Sequence, residues 1–347
     1  MHAHDHALPL ATPERFAAWA AHAAGAPLRH HPIEFGPLAP GEVELEVSHC
    51  GVCRSDVHLV DDDWGHGQYP LVPGHEIVGI VREVGPGVVG LRRGLRVGVG
   101  WQAGSCGHCH ACAHGDENLC REQARTCVGR HGGFAERVRV DAGFVYPIPE
   151  ALRSEHAAPL LCAGATVFAP LERHRIGPGA RVGVIGLGGL GHLAVQFARA
   201  FGAEVTLFSS SPDKRELGEA LGASRVIGSD DPDALKRERD RHDLILSTVH
   251  VDLDWSRYVR ALRPQGTLCF LGAAPAKLSV PIGMLVDGQR SVSGSVVANP
   301  AAMRRTLETA AAQGVAPIVE CLPMDEADRG LARVRDGAAR LRVVLVR

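Results

Sequence analysis

Arg181-Val182-Gly183-Val184-Ile185-Gly186-Leu187-Gly188-Gly189-Leu190-Gly191-His192 runs from a β-branched stretch straight into a glycine-spaced turn. The stretch reads as a buried strand and the turn as G-x-G-x-x-G. The apolar periodicity from His192 to Phe201 predicts a helix behind it. Alone the hexamer is a weak signal; between a strand and an amphipathic helix it gains a mechanism. Gly186 permits the tight turn, Gly188 lets a pyrophosphate approach the backbone, and Gly191 lets helix and strand pack closely. Gly189 and Leu190 complete the loop. Free N–H groups at the helix start would face the phosphates. A second strand follows at Glu204–Phe208. The rhythm continues with Arg225-Val226-Ile227, Leu244-Ile245-Leu246 and Thr267 to Leu271. Strand–helix alternation of this kind predicts an α/β fold with a doubly wound parallel sheet, a Rossmann domain, over 159–296.

The second strand also bears on cofactor choice. A carboxylate about twenty residues past the turn would bind a ribose 2′-hydroxyl. This chain instead reads Phe208-Ser209-Ser210-Ser211-Pro212-Asp213-Lys214, and Asp213 comes late, at the next helix start. Ser209, Ser210 and Lys214 can receive a 2′-phosphate that a carboxylate would repel. NADP(H) is therefore expected over NAD(H), with Arg215 in reserve.

Upstream the pattern is β-rich. Val43-Glu44-Leu45-Glu46-Val47 alternates as a half-buried strand does, and Ile77 to Val81 is a β-branched run. Gly85-Pro86-Gly87 and Arg93-Gly94 are turns, so a small barrel is expected. Leu341 to Leu345 is a lone terminal strand expected to return to that barrel. The 347 residues exceed one ordinary core, so two domains are expected. A net charge of −2 without a basic face argues against nucleic acid. The apolar stretch Val182–Val205 holds six glycines, His192 and Arg199, so a membrane span is not expected. The start lacks a basic and apolar leader, which predicts a cytoplasmic protein. His2, His4 and His6 read as a solvated tail.

Six of the 10 cysteines fall into patterns with ligand logic and four do not. Cys50, Cys127, Cys269 and Cys321 are expected as buried small hydrophobes. Cys106, Cys109, Cys112 and Cys120 are separated by two, two and seven residues. That spacing suits a tetrahedral structural zinc with no open position. His108 and His110 lie between the thiols; Asp116, Glu117 and Asn118 are expected on the surface. Three scattered residues, Cys53, His75 and Cys162, would together leave a fourth position on a second ion open for water or substrate.

C-G-V-C-R-S-D-V-H from Cys50, P-G-H-E from Pro73, the four-cysteine lobe and G-L-G-G-L-G occur in this order. This series resembles the zinc-containing medium-chain dehydrogenase/reductase family from about residue 27 onward. D-D-D-W-G, Q-Y-P-L-V-P-G-H-E, P-L-L-C-A-G-A-T-V-F and F-S-S-S-P resemble its cinnamyl-alcohol-dehydrogenase-type members, nearest the bacterial NADPH-dependent aldehyde reductases. The resemblance implies a GroES-like β-barrel catalytic domain at 1–158 and 297–347, with a zinc lobe at about 101–125. It implies reversible reduction of aldehydes to alcohols with NADPH and two zinc ions. Cys53, His75 and Cys162 would hold the catalytic zinc, with Glu76 beside it and Asp56 orienting the histidine. Ser55 would hydrogen-bond the substrate oxygen and pass a proton through the cofactor ribose toward His58. Thr166 would lie near the nicotinamide and Arg342 near the pyrophosphate. Trp64 and Trp101 would line the substrate pocket. A homodimer through the cofactor-domain sheet edges is implied. Arg54 stands where this branch often carries histidine and is expected toward the pyrophosphate. Ala298-Asn299 departs from the family's small polar or glycine residues near Gly294-Ser295. Two rivals stay open: a polyol dehydrogenase, which would usually offer glutamate at position 162, and a non-catalytic zinc/NADPH-binding redox sensor.

Overall fold

The computed structural model describes residues 14–272 and 277–347; His2, His4 and His6 lie outside the described residues. Six parallel strands form one sheet in the spatial order Arg225–Gly228, Glu204–Ser209, Arg181–Ile185, His242–Ser247, Leu262–Phe270, Ser291–Gly294. Sequence order reverses at Arg181–Ile185, so the glycine turn leaves the sheet at the switch point where such folds bind ligands. Val182 lies opposite both Val205 and Leu244. Val182 to Ile185 are buried because helices cover both faces of the sheet. Each strand boundary falls within a few residues of the sequence expectation, and the edge strand Ser291–Gly294 is added.

A second sheet of seven strands is built around the long strand Glu42–Val52. Glu42–Val52 pairs antiparallel with Glu76–Val84, with Arg137–Asp141 and with the chain's last strand, Arg342–Val346. The terminal strand therefore does return to the barrel and carries Arg342 there. A separate antiparallel hairpin, Arg15–Ala20 with Arg29–Glu34, covers part of this sheet; no periodicity announced it. Its Ala18 bridges Ala135, and its Trp19 N–H donates to the Phe134 carbonyl at 2.8 Å.

One apolar core joins the two sheets. Val78 and Leu161 pack in the same cluster as Val182, Leu193 and Leu246. Several expectations are corrected here. Glu44 is buried rather than solvent-facing, since Arg139 pairs with it at 2.8 Å and Arg82 and Arg137 lie close by. Cys50, Cys127 and Cys269 are buried as expected, but Cys321 on the edge strand Val319–Pro323 is exposed. Asn118 is half-buried rather than on the surface, and its amide donates to the Val296 carbonyl at 3.0 Å, tying the lobe to the cofactor half. Among the described residues no helix is long and apolar enough to cross a membrane.

Candidate active site

Cys53 caps the helix Arg54–Val60 at the end of the long barrel strand. The helix's Asp56 accepts the Cys53 N–H at 2.9 Å through one oxygen. Its other oxygen accepts the Gly74 N–H at 2.9 Å and binds His75 Nδ1 at 2.8 Å. A fully buried carboxylate thus fixes Cys53 and His75 relative to each other, and it directs Nε2 of His75 the opposite way. Gly74 makes this possible: at φ +100° its added Cβ would stand 2.4 Å from Phe134.

Nε2 faces Cys162 Sγ at 3.3 Å. Cys162 sits on a π-helical turn, Leu160–Gly164, set between two α-helices, a device that re-aims side chains at functional sites. The ligand atoms of Cys53, His75, Glu76 and Cys162 all lie within 4.8 Å of one another. A nitrogen and a sulfur on one tetrahedral zinc stand about 3.5 Å apart, given bonds of about 2.0 and 2.3 Å, so the donors fit such an ion. The Cys53 thiol, hydrogen-bonded by Cys162 and beside His75 and Arg342, is held well below its ordinary range. Cys162, facing that sulfur and Glu76, is pushed up.

Glu76 is the fourth group. One carboxylate oxygen pairs with Arg342; the other is buried without a hydrogen-bond partner. Burial lifts its carboxyl to about 7, against the pull of Arg342. Gly51 leaves the space it occupies: a Cβ there would lie 2.0 Å from the unpartnered oxygen. Arg342 also touches the glycine turn, its Nη1 lying 3.2 Å from where a Cβ on Gly189 would be. One buried arginine therefore connects the metal donors to the cofactor turn.

Ser55 and His58 lie on the helix that Cys53 caps. His58 Nδ1 contacts Asp63 Oδ2 at 2.6 Å, and its ring packs on Trp64 at 5.0 Å. Trp64 meets Trp101 edge-on at 6.1 Å, and Trp101 meets His75 edge-on at 5.0 Å. These four rings form a continuous wall from the metal donors outward. Asp63 is the residue that reading the sequence missed; its only signal was its place in a run of three aspartates. Arg54 departs from expectation: its guanidinium donates to the Val334 and Arg335 carbonyls at 3.1 and 2.8 Å. Free carbonyls at the end of the helix Ala327–Arg335 attract it there.

In the glycine turn, Gly186 adopts φ +89°, and a Cβ on Gly191 would lie 2.0 Å from the Gly186 oxygen. A Cβ on Gly188 would meet nothing within 4 Å, so that backbone is open to a ligand. The helix behind the turn, Gly191–Ala200, begins at this loop. His192 clamps the turn: Nδ1 contacts the Gly188 carbonyl at 2.9 Å, and Nε2 accepts the Ile318 N–H at 3.3 Å. Burial holds His192 down at about 4. Thr248, also missed, donates its hydroxyl to the Ile185 carbonyl at 2.8 Å beside the turn. Leu190 precedes the helix, and Thr166 is buried one turn past Cys162. At the end of the second strand Ser209 is buried and accepts the Ser211 N–H at 3.3 Å, whereas Ser210 is exposed. Lys214 is half-buried in the turn Pro212–Lys214, and Arg215 is engaged by Glu219 at 3.5 Å.

Apart from this centre, the sulfurs of Cys106 and Cys112 are 3.9 Å apart, Cys109 and Cys112 3.6 Å, and Cys120 and Cys106 3.6 Å. The edge of a zinc–sulfur tetrahedron with bonds of about 2.3 Å is about 3.8 Å, so four thiolates around one zinc fit the spacing. Backbone N–H groups of His108 and Cys109 aimed at Cys106 lower its thiol to about 6.

Comparison with known proteins agrees with this geometry. Residues 39–150 match the alcohol dehydrogenase GroES-like domain and residues 189–312 the zinc-binding dehydrogenase family. An aldehyde reductase, AdhA, from Synechocystis is 44% identical over 90% of this chain and 94% of its own. The NADP-dependent alcohol dehydrogenase C of Mycobacterium tuberculosis is 39% identical over 95% of this chain and 97% of its own. Among solved structures, a cinnamyl alcohol dehydrogenase from Sorghum bicolor superposes with a TM-score of 0.90 at 35% identity, covering 96% of this chain and 98% of that one. One from Helicobacter pylori, complexed with NADP(H), gives a TM-score of 0.87 at 28% identity, covering 96% and 99%.

Proposed function

The chain belongs to the zinc-containing medium-chain dehydrogenase/reductase family, in its cinnamyl-alcohol-dehydrogenase-like branch, and from that premise we propose that it reduces aldehydes to primary alcohols with NADPH, reversibly. The observation that carries this reading is the convergence of Cys53, His75 and Cys162 within 4.8 Å of one another, beside an arginine that also touches the glycine turn. When bound, zinc supplies a Lewis acid for the carbonyl oxygen, and NADPH supplies hydride.

The chain's own groups do the rest. Asp56 fixes the His75 ring so that Nε2 serves as a donor. Glu76, neutralised by Arg342, holds the site's fourth side in reserve. Ser55 hydrogen-bonds the substrate oxygen, and His58, steered by Asp63, exchanges a proton with solvent. Trp64 and Trp101 wall the cleft with apolar surface, which suits aliphatic or benzylic aldehydes without sharp discrimination by chain length. Gly186, Gly188, Gly189, Leu190 and Gly191 would cradle the pyrophosphate, and Thr166 would stand on the nicotinamide side. Ser209, Ser210 and Lys214 receive the 2′-phosphate. Cys106, Cys109, Cys112 and Cys120 would hold a second, structural zinc. We assign 1–158 and 297–347 to the catalytic domain and 159–296 to the cofactor domain.

A panel of aldehydes, followed by loss of NADPH absorbance with and without a chelator, tests this directly. Chelator-sensitive NADPH oxidation is expected. Turnover that is indifferent to metal removal, or faster with NADH, would refute it.

A further inference from the structure

The run Asp61-Asp62-Asp63 follows the helix Arg54–Val60 that carries Ser55 and His58, and each of its carboxylates holds a different partner. Asp61, which closes the helix, accepts Nε and Nη2 of Arg335 at 3.1 and 2.6 Å in a half-buried, bidentate pair. Asp62 stands at φ +59°, a left-handed conformation that a residue with a side chain keeps only where its surroundings impose it. Its carboxylate accepts the Gly67 N–H at 2.7 Å. The turn so made brings Asp63 back to the helix. The Asp63 N–H donates to the His58 carbonyl at 3.0 Å, while its carboxylate meets the His58 ring.

Arg335 is a fixed anchor for this turn. It ends the helix Ala327–Arg335, which lies close on the barrel: a Cβ on Gly330 would stand 3.0 Å from Leu345 and 3.5 Å from Val52, the residue just before Cys53. At the other end of the helix Arg54–Val60, Arg54 donates to the Val334 and Arg335 carbonyls. The helix that bears Ser55 and His58 is thus clipped to one neighbour at both ends. Its 7 residues are too few to stay helical in water unaided, so its last turn depends on such clips.

We propose that Asp61 and Arg335 are positioning residues for proton delivery: their pair fixes the turn through which Asp63 holds the His58 ring. This rests on the aldehyde-reduction reading, in which His58 exchanges a proton with solvent. Asp61 closes the end of the helix opposite Cys53, so the pair bears on His58 and leaves the metal donors to Asp56. A lysine at position 335 keeps the charge and loses the fork of two parallel N–H groups, so it cannot hold both oxygens of Asp61.

The test uses the full zinc-loaded chain with NADPH and the aldehyde of the panel that turns over fastest. D61N, R335K and D61N/D63N are compared with the parent and with D63N. In D61N and R335K kcat should fall by up to about tenfold, the loss expected for D63N, and its pH profile should move as it does in D63N. KM for NADPH and zinc content should stay at parent values. Because Asp61 acts through Asp63, D61N/D63N should be no slower than D63N, whereas two independent losses would multiply. R329Q removes an exposed ion pair with Glu326 from the helix that Arg335 ends, and it should match the parent. D61N preserves side-chain shape, so it decides the matter should the melting temperature show R335K misfolded. A parent kcat and pH profile in D61N, a further loss in D61N/D63N beyond D63N, an equal loss in R329Q, or a loss that tracks zinc content would each overturn the proposal while the parent's turnover leaves aldehyde reduction standing. A parent that oxidises NADPH with no aldehyde would bring down both.

Discussion

Asp63 and Asp56 show how one carboxylate contact decides what a histidine can do. Asp56 points Nε2 of His75 at the sulfurs, and Asp63 holds Nδ1 of His58 so that its other nitrogen is free. Asp63→Asn should therefore leave zinc content and cofactor affinity unchanged while kcat falls about tenfold and its pH profile shifts, because a positioned proton carrier contributes about 10²–10⁴-fold and this variant only misorients it. An unchanged pH profile would remove Asp63 from the account. At the other end of the cleft, Lys214→Ala should raise KM for NADPH about tenfold and leave KM for NADH alone, since one charge-assisted contact to a phosphate is worth about 1.5–3 kcal/mol. Steady-state kinetics with the two cofactors separates these outcomes. The four-cysteine lobe was legible in the sequence because thiol spacing is a local signal; Cys53, His75 and Cys162 are scattered along the chain, and the family resemblance is what grouped them. Asp63, Thr248 and the clamp at His192 were not, because each acts through a contact made only after folding. Arg54 was misread for the same reason: its partners, the Val334 and Arg335 carbonyls, lie about 280 positions along the chain.

The glycine turn and its helix show the same logic at the next scale. Gly191 cannot carry a side chain without striking the Gly186 carbonyl, so Gly191→Ala should lose NADPH binding with the metal content intact. Equilibrium dialysis with NADPH is the check. His192 adds a pH dependence. Its folded-state value, about 4, lies below the unfolded value, so the folded state is neutral when the unfolded chain has taken up a proton. Above pH 6.5 the group makes stability independent of pH; as pH falls from 6.5 toward 4 it destabilises the fold increasingly, by up to about 3 kcal/mol. His192→Gln should flatten that part of the stability–pH curve in urea unfolding, and an equal slope in parent and variant would contradict it. The strand–helix alternation was readable from Arg181 onward because buried parallel strands are short, continuous β-branched runs. The amino-terminal hairpin was not, because Arg15–Ala20 and Arg29–Glu34 mix alanine, histidine and proline without clear alternation.

For the whole molecule, the last strand of the chain is what joins the two functions. Arg342–Val346 completes the barrel beside Glu42–Val52 and delivers Arg342 to both Glu76 and Gly189. The outer strand Ser291–Gly294 leaves the cofactor sheet with an edge, near exposed Ile282, Val286 and Val296. An open edge beside apolar side chains invites a second copy, so a homodimer is proposed there. Ile282→Asp should convert it to monomer, read by light scattering coupled to gel filtration. Three distant donors are proposed to hold one catalytic zinc, and four clustered thiols another. Zinc content measured on purified Cys162→Ala beside the parent tests this most directly. Two zincs per parent chain, and one per variant chain with the fold kept and turnover abolished, is the predicted result. A variant that retains both zincs, or that still oxidises NADPH with an aldehyde at the parent rate, would contradict it.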